Sequence, residues 1–190
     1  MRAANWARVY HAYFQEMVVK GMTEALYKAF GEHGFIVAAS IVEKGAMRGF
    51  KILMEELSNE GVEVKELSLK ELLEYEVKCH RYALEKMGVE FQLFERLVAD
   101  EEKGIYFLET DKCVYEDLVR NNPVTCAVCV GLTTGILRQA GIKARWVSKP
   151  ERKKQLCQLP PEERPEYAVY MDPGVALPRC RLVVEKLRCG

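Results

Sequence analysis

The chain has 190 residues, of which 49% are apolar and 29% charged, enough for a packed core. Its 28 acidic residues balance 28 basic ones, so no net field calls for nucleic acid or an acidic partner surface. No apolar run reaches the about 18 residues that a membrane helix needs. The start, MRAANWARVYHAYFQEM, is amphipathic and lacks a signal-peptide core, so the chain reads as cytoplasmic.

Residues 5–30 read as a helix. Trp6, Val9, Tyr10, Tyr13, Met17, Met22, Leu26 and Phe30 follow helical spacing, and Gly31 suits the position after a helix end. A second helix runs from Gly34 to about Leu57, with Gly45 and Gly49 four apart on one face, a spacing that predicts close helix packing. VEVKEL, residues 62–67, alternates briefly. Ser68 and Glu71 then form a capping box for a helix whose apolar face holds Leu69, Leu72, Leu73, Val77, Leu84 and Met87, closed by Gly88. His80 falls on that face beside Cys79; a core or interface role is the simpler reading, a ligand role the sharper one.

The period then changes to alternation. Residues 91–99 and 105–110 read as strands joined by the turn DEEKG, a hairpin signal. KCVYEDLVRNN is a connector with a helical turn. Asn121 or Asn122 caps a helix starting at Pro123 and running to Gln139, with Gly141 after it. IKARWVS is a strand, the charged and proline-rich residues 149–166 an exposed loop, AVYMD a short strand, and CRLVVEKL the last strand. The sum is one α+β domain over residues 1–190. Residues 1–90 are mainly helical. Residues 91–190 form an antiparallel sheet of four to five strands interrupted by the helix 123–140, with one face under the helices and the other toward solvent or a partner.

There are seven cysteines and only three histidines, so any metal site here must be rich in thiolate. Cys126 and Cys129 lie three apart at a helix start. There the free amides and the helix dipole favour thiolate, which is why such a pair can bind metal or do redox chemistry. No second CxxC completes a zinc set, but Cys113 after the hairpin and Cys180 at the last strand's start fall at element ends that can meet that helix. Cys157 lies in the loop and could fold over; Cys189 reads as incidental. Three or four thiolates would suit zinc or an iron–sulfur cluster. Glu109, Asp111 and His80 are candidate ligand-binding or proton-moving groups. The alternatives are a catalytic thiol, or cysteines that are only small core residues, for Cys126, Cys129, Leu132, Thr133, Ile136 and Leu137 also make a packed stripe. Gly131 and Gly135 admit either a close helix or a flat ligand, close helix packing being the simpler reading.

The block PVTCAVCVGLTTGILRQAGIKARWV, followed by PRCRLVVEKL, resembles the 4-vinyl reductase domain family. Cys126 or Cys129, Gly131, Gly135 and Gly141 match its cysteine-bearing helix, and Cys180, Arg181, Leu182 and Val183 its closing strand. The resemblance covers about residues 25–188 and implies an α+β fold shared with transport-particle subunits. It also implies a pocket for a small molecule or hydrocarbon between helices and sheet, metal at the cysteines and often a homodimer. ETDKCVYEDLV with a downstream cysteine is also similar to the L-2-amino-thiazoline-4-carboxylate hydrolase-like family, which implies a site lined by Cys113, one of Cys126 and Cys129, and Cys180. The leading expectation is a small-molecule-binding or sensor domain with a thiolate metal site. A cysteine-dependent hydrolase and a dimeric assembly subunit without chemistry are the alternatives.

Overall fold

The computed structural model describes residues 3–59, 61, 67–87 and 92–189. The alternating stretch at 62–66 and the helix-closing Gly88 lie outside these residues. Helix α1 (Ala3–Phe14) continues through one wider π turn (Gln15–Lys20) into α2 (Gly21–Phe30). Gly31 then breaks the helix with a positive φ of 56°. The long α3 (Gly34–Asn59) follows. Helix α4 (Leu69–Met87) opens with the expected capping box: the Glu71 carboxylate accepts from the Ser68 amide at 2.8 Å, and the Ser68 hydroxyl accepts from the Glu71 amide at 3.3 Å. Donation from the Ser68 hydroxyl at 2.7 Å and from the Ser68 amide holds the Glu71 carboxyl below its ordinary pKa.

The second half is a five-stranded sheet in the order β1-β2-β5-β4-β3, built from β1 (Arg96–Asp100), β2 (Ile105–Thr110), β3 (Ala144–Trp146), β4 (Tyr167–Met171) and β5 (Cys180–Lys186). Strand β1 starts at Arg96, later than alternation implied; Leu93 and Phe94, just before it, are buried in the main core. The sheet is mostly antiparallel, so the fold is α+β with helices packed on a sheet. One pair departs from the expectation: β3 and β4 are parallel, with Ala144 opposite Tyr167. A parallel pair needs a crossover longer than a hairpin turn, and residues 149–166 supply it.

Most of that segment is exposed, as its charge and prolines predicted, but it is not loop throughout. It holds a 3₁₀ turn (Pro150–Arg152) and the short α7 (Lys153–Leu156). Leu156 is buried with Val147, Ala168, Tyr170 and Val183 on the sheet face away from the long helices. Lys153 pairs with Glu185 and sits 4.9 Å from the Tyr170 ring centre. Cys157 is disulfide-bonded to Cys189, so neither is a free thiol and Cys189 is not incidental. The second face of the sheet, expected to meet solvent or a partner, is thus partly covered by the chain itself.

On the inner face, Tyr106, Leu108, Leu182 and Val184 join Leu72, Leu73 and Val77 of α4 and the helix α6 (Ala127–Gln139) in the main core. Helix α6 is preceded by the short α5 (Glu116–Asn121) and a 3₁₀ turn (Pro123–Cys126), whose Val124 amide donates to the Asn122 side chain at 3.1 Å. Helices α6 and α3 touch backbone to backbone. A Cβ at Gly131 would lie 2.6 Å from the Ala39 carbonyl oxygen, and one at Gly135 would lie 2.5 Å from that of Glu43. The simpler reading of these two glycines holds. Gly45 and Gly49 differ: nothing lies within 4 Å of a Cβ built at either, so their face packs against nothing in the described chain. The buried Glu43 ties the layers by accepting from the Trp146 indole at 2.7 Å and from Arg138.

Gly135→Ala is expected to lower stability by about 1–3 kcal/mol through overpacking, although alanine is the better helix former by about 1 kcal/mol. Urea unfolding checks this. A variant of raised midpoint would show that α3 and α6 are not in backbone contact.

Candidate functional site

A pocket of about 790 Å³ opens at one end of the sheet. Its walls come from the start of α3 (Phe35, Ile36), the 3₁₀ turn before α6 (Val124, Cys126), the segment 148–152, and the chain between β4 and β5 (Met171 to Arg181). Three cysteines line it: Cys113, Cys126 and Cys180. The volume falls in the range of about 300–1,000 Å³ usual for small-molecule sites.

Strand register brings Cys113 and Cys180 together. Cys180 opens β5 on its core face, with its Cα opposite that of Thr110 at the end of β2. Three residues beyond Thr110, the Cys113 amide donates to the Pro178 carbonyl at 2.7 Å. Each thiol shifts the other's pKa, with Cys180 as donor and Cys113 as acceptor. Donation from Cys180, with a smaller contribution from the Tyr115 amide, outweighs burial and draws the Cys113 pKa down to about 7. Cys180 moves upward: its proton is held by the bond to Cys113, and burial and the other sulfurs add to this.

Cys126 and Cys129 reverse the expectation drawn from their place at a helix start. Burial pushes Cys126 up to about 12 and Cys129 well above the ordinary thiol value, with neighbouring sulfur charge adding to both. The amides of a helix start stabilise a thiolate by roughly 1 kcal/mol, too little against full desolvation. Cys126 lines the pocket, whereas Cys129, 4% exposed, belongs to the main core behind it.

The other candidates lie apart from the thiols. Glu109 accepts from Arg96 at 3.0 Å and from Arg181 at 2.7 Å. Asp111 takes both terminal nitrogens of Arg96, at 3.0 and 2.8 Å, bonds that hold its carboxyl below the usual range. Both therefore belong to an ion-pair network at the sheet edge, and neither lines the pocket. His80 is buried on α4 with its ring 6.1 Å from that of Phe94, and burial lowers its pKa to about 4.

One titratable residue escaped the sequence reading. Glu76 is buried on the apolar face of α4, where it accepts from the Thr133 hydroxyl of α6 at 2.8 Å. Burial raises its pKa to about 7. A glutamate at position 76 amid Leu72, Leu73 and Val77 was a visible signal, a charge inside an apolar stripe. The pocket's apolar walls carried no such signal, because they come from element ends that meet only in the fold.

The donor chemistry of four nearby sulfurs suits a soft metal. Among the described residues, no group of three or more His, Cys, Asp or Glu side chains is arranged to hold one. No protein-family model matches the chain, and no curated protein matches it. Among the described residues no helix is long and apolar enough to cross a membrane.

Two outcomes follow. The Cys113 thiolate forms as pH rises through about 7, so iodoacetamide should label Cys113 ahead of Cys126, Cys129 and Cys180 at pH 7.5 and lose that preference below about pH 6. Peptide mass spectrometry reads it, and Cys180→Ala should move the onset to higher pH. For Glu76 the folded pKa lies above the unfolded one, so ionisation weakens the fold as pH rises from about 4.5 to about 7. Glu76→Gln should therefore stabilise by about 2–4 kcal/mol at pH 8 and by little at pH 4, as read from denaturant midpoints.

Proposed function

We propose that this chain is a small-molecule-binding domain whose ligand, largely apolar, enters the pocket and meets the thiols of Cys113, Cys126 and Cys180. The observation that carries the reading is the pocket itself: it is large enough for a ligand, and its walls include Phe35, Ile36, Val124, Met171 and Leu177. The resemblance of residues 123–147 and 178–187 to the 4-vinyl reductase domain supports the same conclusion from sequence. Five of the seven cysteines are free, which favours a reducing, cytoplasmic setting; the Cys157–Cys189 disulfide argues the other way.

Cys113, Cys126, Cys129 and Cys180 are the set we propose for zinc or an iron–sulfur cluster. The specific support is that four cysteines from three separate stretches of the chain sense one another's charge in the fold. Such a group would add soft Lewis-acid or redox chemistry at the pocket floor. The hydrolase reading rests on Cys113 as nucleophile; its proposed proton carriers, Glu109 and Asp111, are held by arginines, and His80 is packed in the core.

We further propose a homodimer closed by α3. Val37, Ile41 and Ile52 are 39%, 49% and 64% exposed on the face that carries Gly45 and Gly49. A second copy would cover that stripe. Sedimentation equilibrium of the chain and of Ile41→Asp measures this.

N-phenyl-1-naphthylamine, a neutral apolar fluorophore, tests the main reading. One molecule should bind per chain, and Ile36→Lys should weaken binding by more than about tenfold, a loss of about 1.4 kcal/mol or more, without moving the unfolding midpoint. Binding indifferent to Ile36→Lys would remove the pocket from the account. Metal analysis of anaerobically purified protein beside a Cys126→Ser/Cys129→Ser variant tests the thiol set. Zinc, or iron with sulfide, lost in the variant is the expected result. A metal-free parent sample would contradict it.

A further inference from the structure

The Cys113–Cys180 contact has a second chemical meaning that depends on neither a ligand nor a metal. Both residues are free thiols that line the pocket, and the backbone next to each is bonded to the other's segment. The backbone fixes the pair: the Cα of Cys180 pairs with that of Thr110, and the Cys113 amide is bonded to Pro178, two residues before Cys180. A disulfide spans Cα atoms up to about 7 Å apart, the reach that backbones tied side by side in this way favour. Both residues also line the pocket, so a small oxidant reaches them without opening the core. The CxxC lacks this combination, because Cys126 faces the pocket while Cys129 lies in the core behind it.

We propose that Cys113 and Cys180 are a reversible dithiol–disulfide pair, oxidised by small hydroperoxides that enter the pocket. In the first step the Cys113 sulfur attacks the peroxide oxygen. The O–O bond breaks, Cys113 becomes a sulfenic acid, and the alcohol or water leaves. In the second, the Cys180 sulfur attacks the Cys113 sulfur; the S–O bond breaks, the disulfide forms, and the Cys180 proton leaves with the hydroxyl as water. Two electrons pass from the pair to the peroxide. A small dithiol reverses the change by thiol–disulfide exchange. The bond joins the turn after β2 to the first residue of β5 at the pocket. A pocket wall held by backbone hydrogen bonds in the reduced state would then gain a covalent tie in the oxidised one.

The test uses the whole chain, reduced with dithiothreitol, treated with a strong chelator and exchanged without oxygen. Hydrogen peroxide is added in slight excess, remaining thiols are blocked with N-ethylmaleimide, and unreduced peptides are identified by mass spectrometry. The expected result is a Cys113–Cys180 cross-link that forms at least as fast as Cys157–Cys189 re-forms and disappears on fresh dithiothreitol. Cys180→Ser should instead accumulate a dimedone-trappable Cys113 sulfenic acid, and Cys126→Ser should leave the cross-link intact. Each variant's circular dichroism is compared with the parent's to confirm its fold. A Cys113–Cys126 link, a stable Cys113 sulfenic acid in the parent chain, or re-formed Cys157–Cys189 with both Cys113 and Cys180 blocked would overturn the proposal.

Discussion

The backbone contact between α3 and α6 sets the positions of everything around the pocket. Two glycines one helical turn apart let α6 lie against the Ala39 and Glu43 backbones, closer than any side chain would permit. That approach places the 3₁₀ turn carrying Cys126 beside the start of α3, where Phe35 and Ile36 form the opposite wall. Glu43 locks the arrangement from α3 by holding Arg138 of α6 and Trp146 of β3. The sheet contributes through register: pairing of β2 with β5 brings Cys180 beside the chain end that carries Cys113.

Desolvation decides how the thiols behave. Four sulfurs lie near one another in a poorly hydrated region, where a single thiolate is tolerable only if something donates to it. Cys180 supplies that donation, so the negative charge settles on Cys113 and the other three stay protonated. Opposite charge also organises the Arg96–Glu109–Asp111–Arg181 network, which pairs its carboxylates with arginines at the sheet edge and away from the pocket. Glu76 is the exception. It is buried with the Thr133 hydroxyl as its one hydrogen-bond donor among the described residues, and it raises its pKa in response.

Local sequence signals account for most of the element order. The capping box at Ser68, the breaks at Gly31 and Gly104, and the Asn122–Pro123 helix start are written in one or two residues each, and each appears in the fold. The parallel β3–β4 pair and the packing of residues 149–166 were not readable, because both depend on where Leu156 and Cys157 find partners distant in sequence. For the site, residue types were informative and electrostatics were not. That Cys113, Cys126 and Cys180 line one pocket follows from element ends, whereas the reversal of acidity between Cys113 and the CxxC depends on burial that no spacing encodes. Gly45 and Gly49 show the converse limit, since their spacing is that of a packed pair while their face is open in the described chain.

The account turns on the pocket at the end of the α3–α6 seam being where a small molecule binds. Isotope-labelled methyl spectra of isoleucine and methionine, recorded as N-phenyl-1-naphthylamine is added, locate that binding directly. The account predicts shifts at Ile36 and Met171, which line the pocket, with Ile52 on the outer face of α3 unmoved. Shifts centred on Ile41 and Ile52, with Ile36 and Met171 unchanged, would place the ligand on the exposed helix face and contradict it.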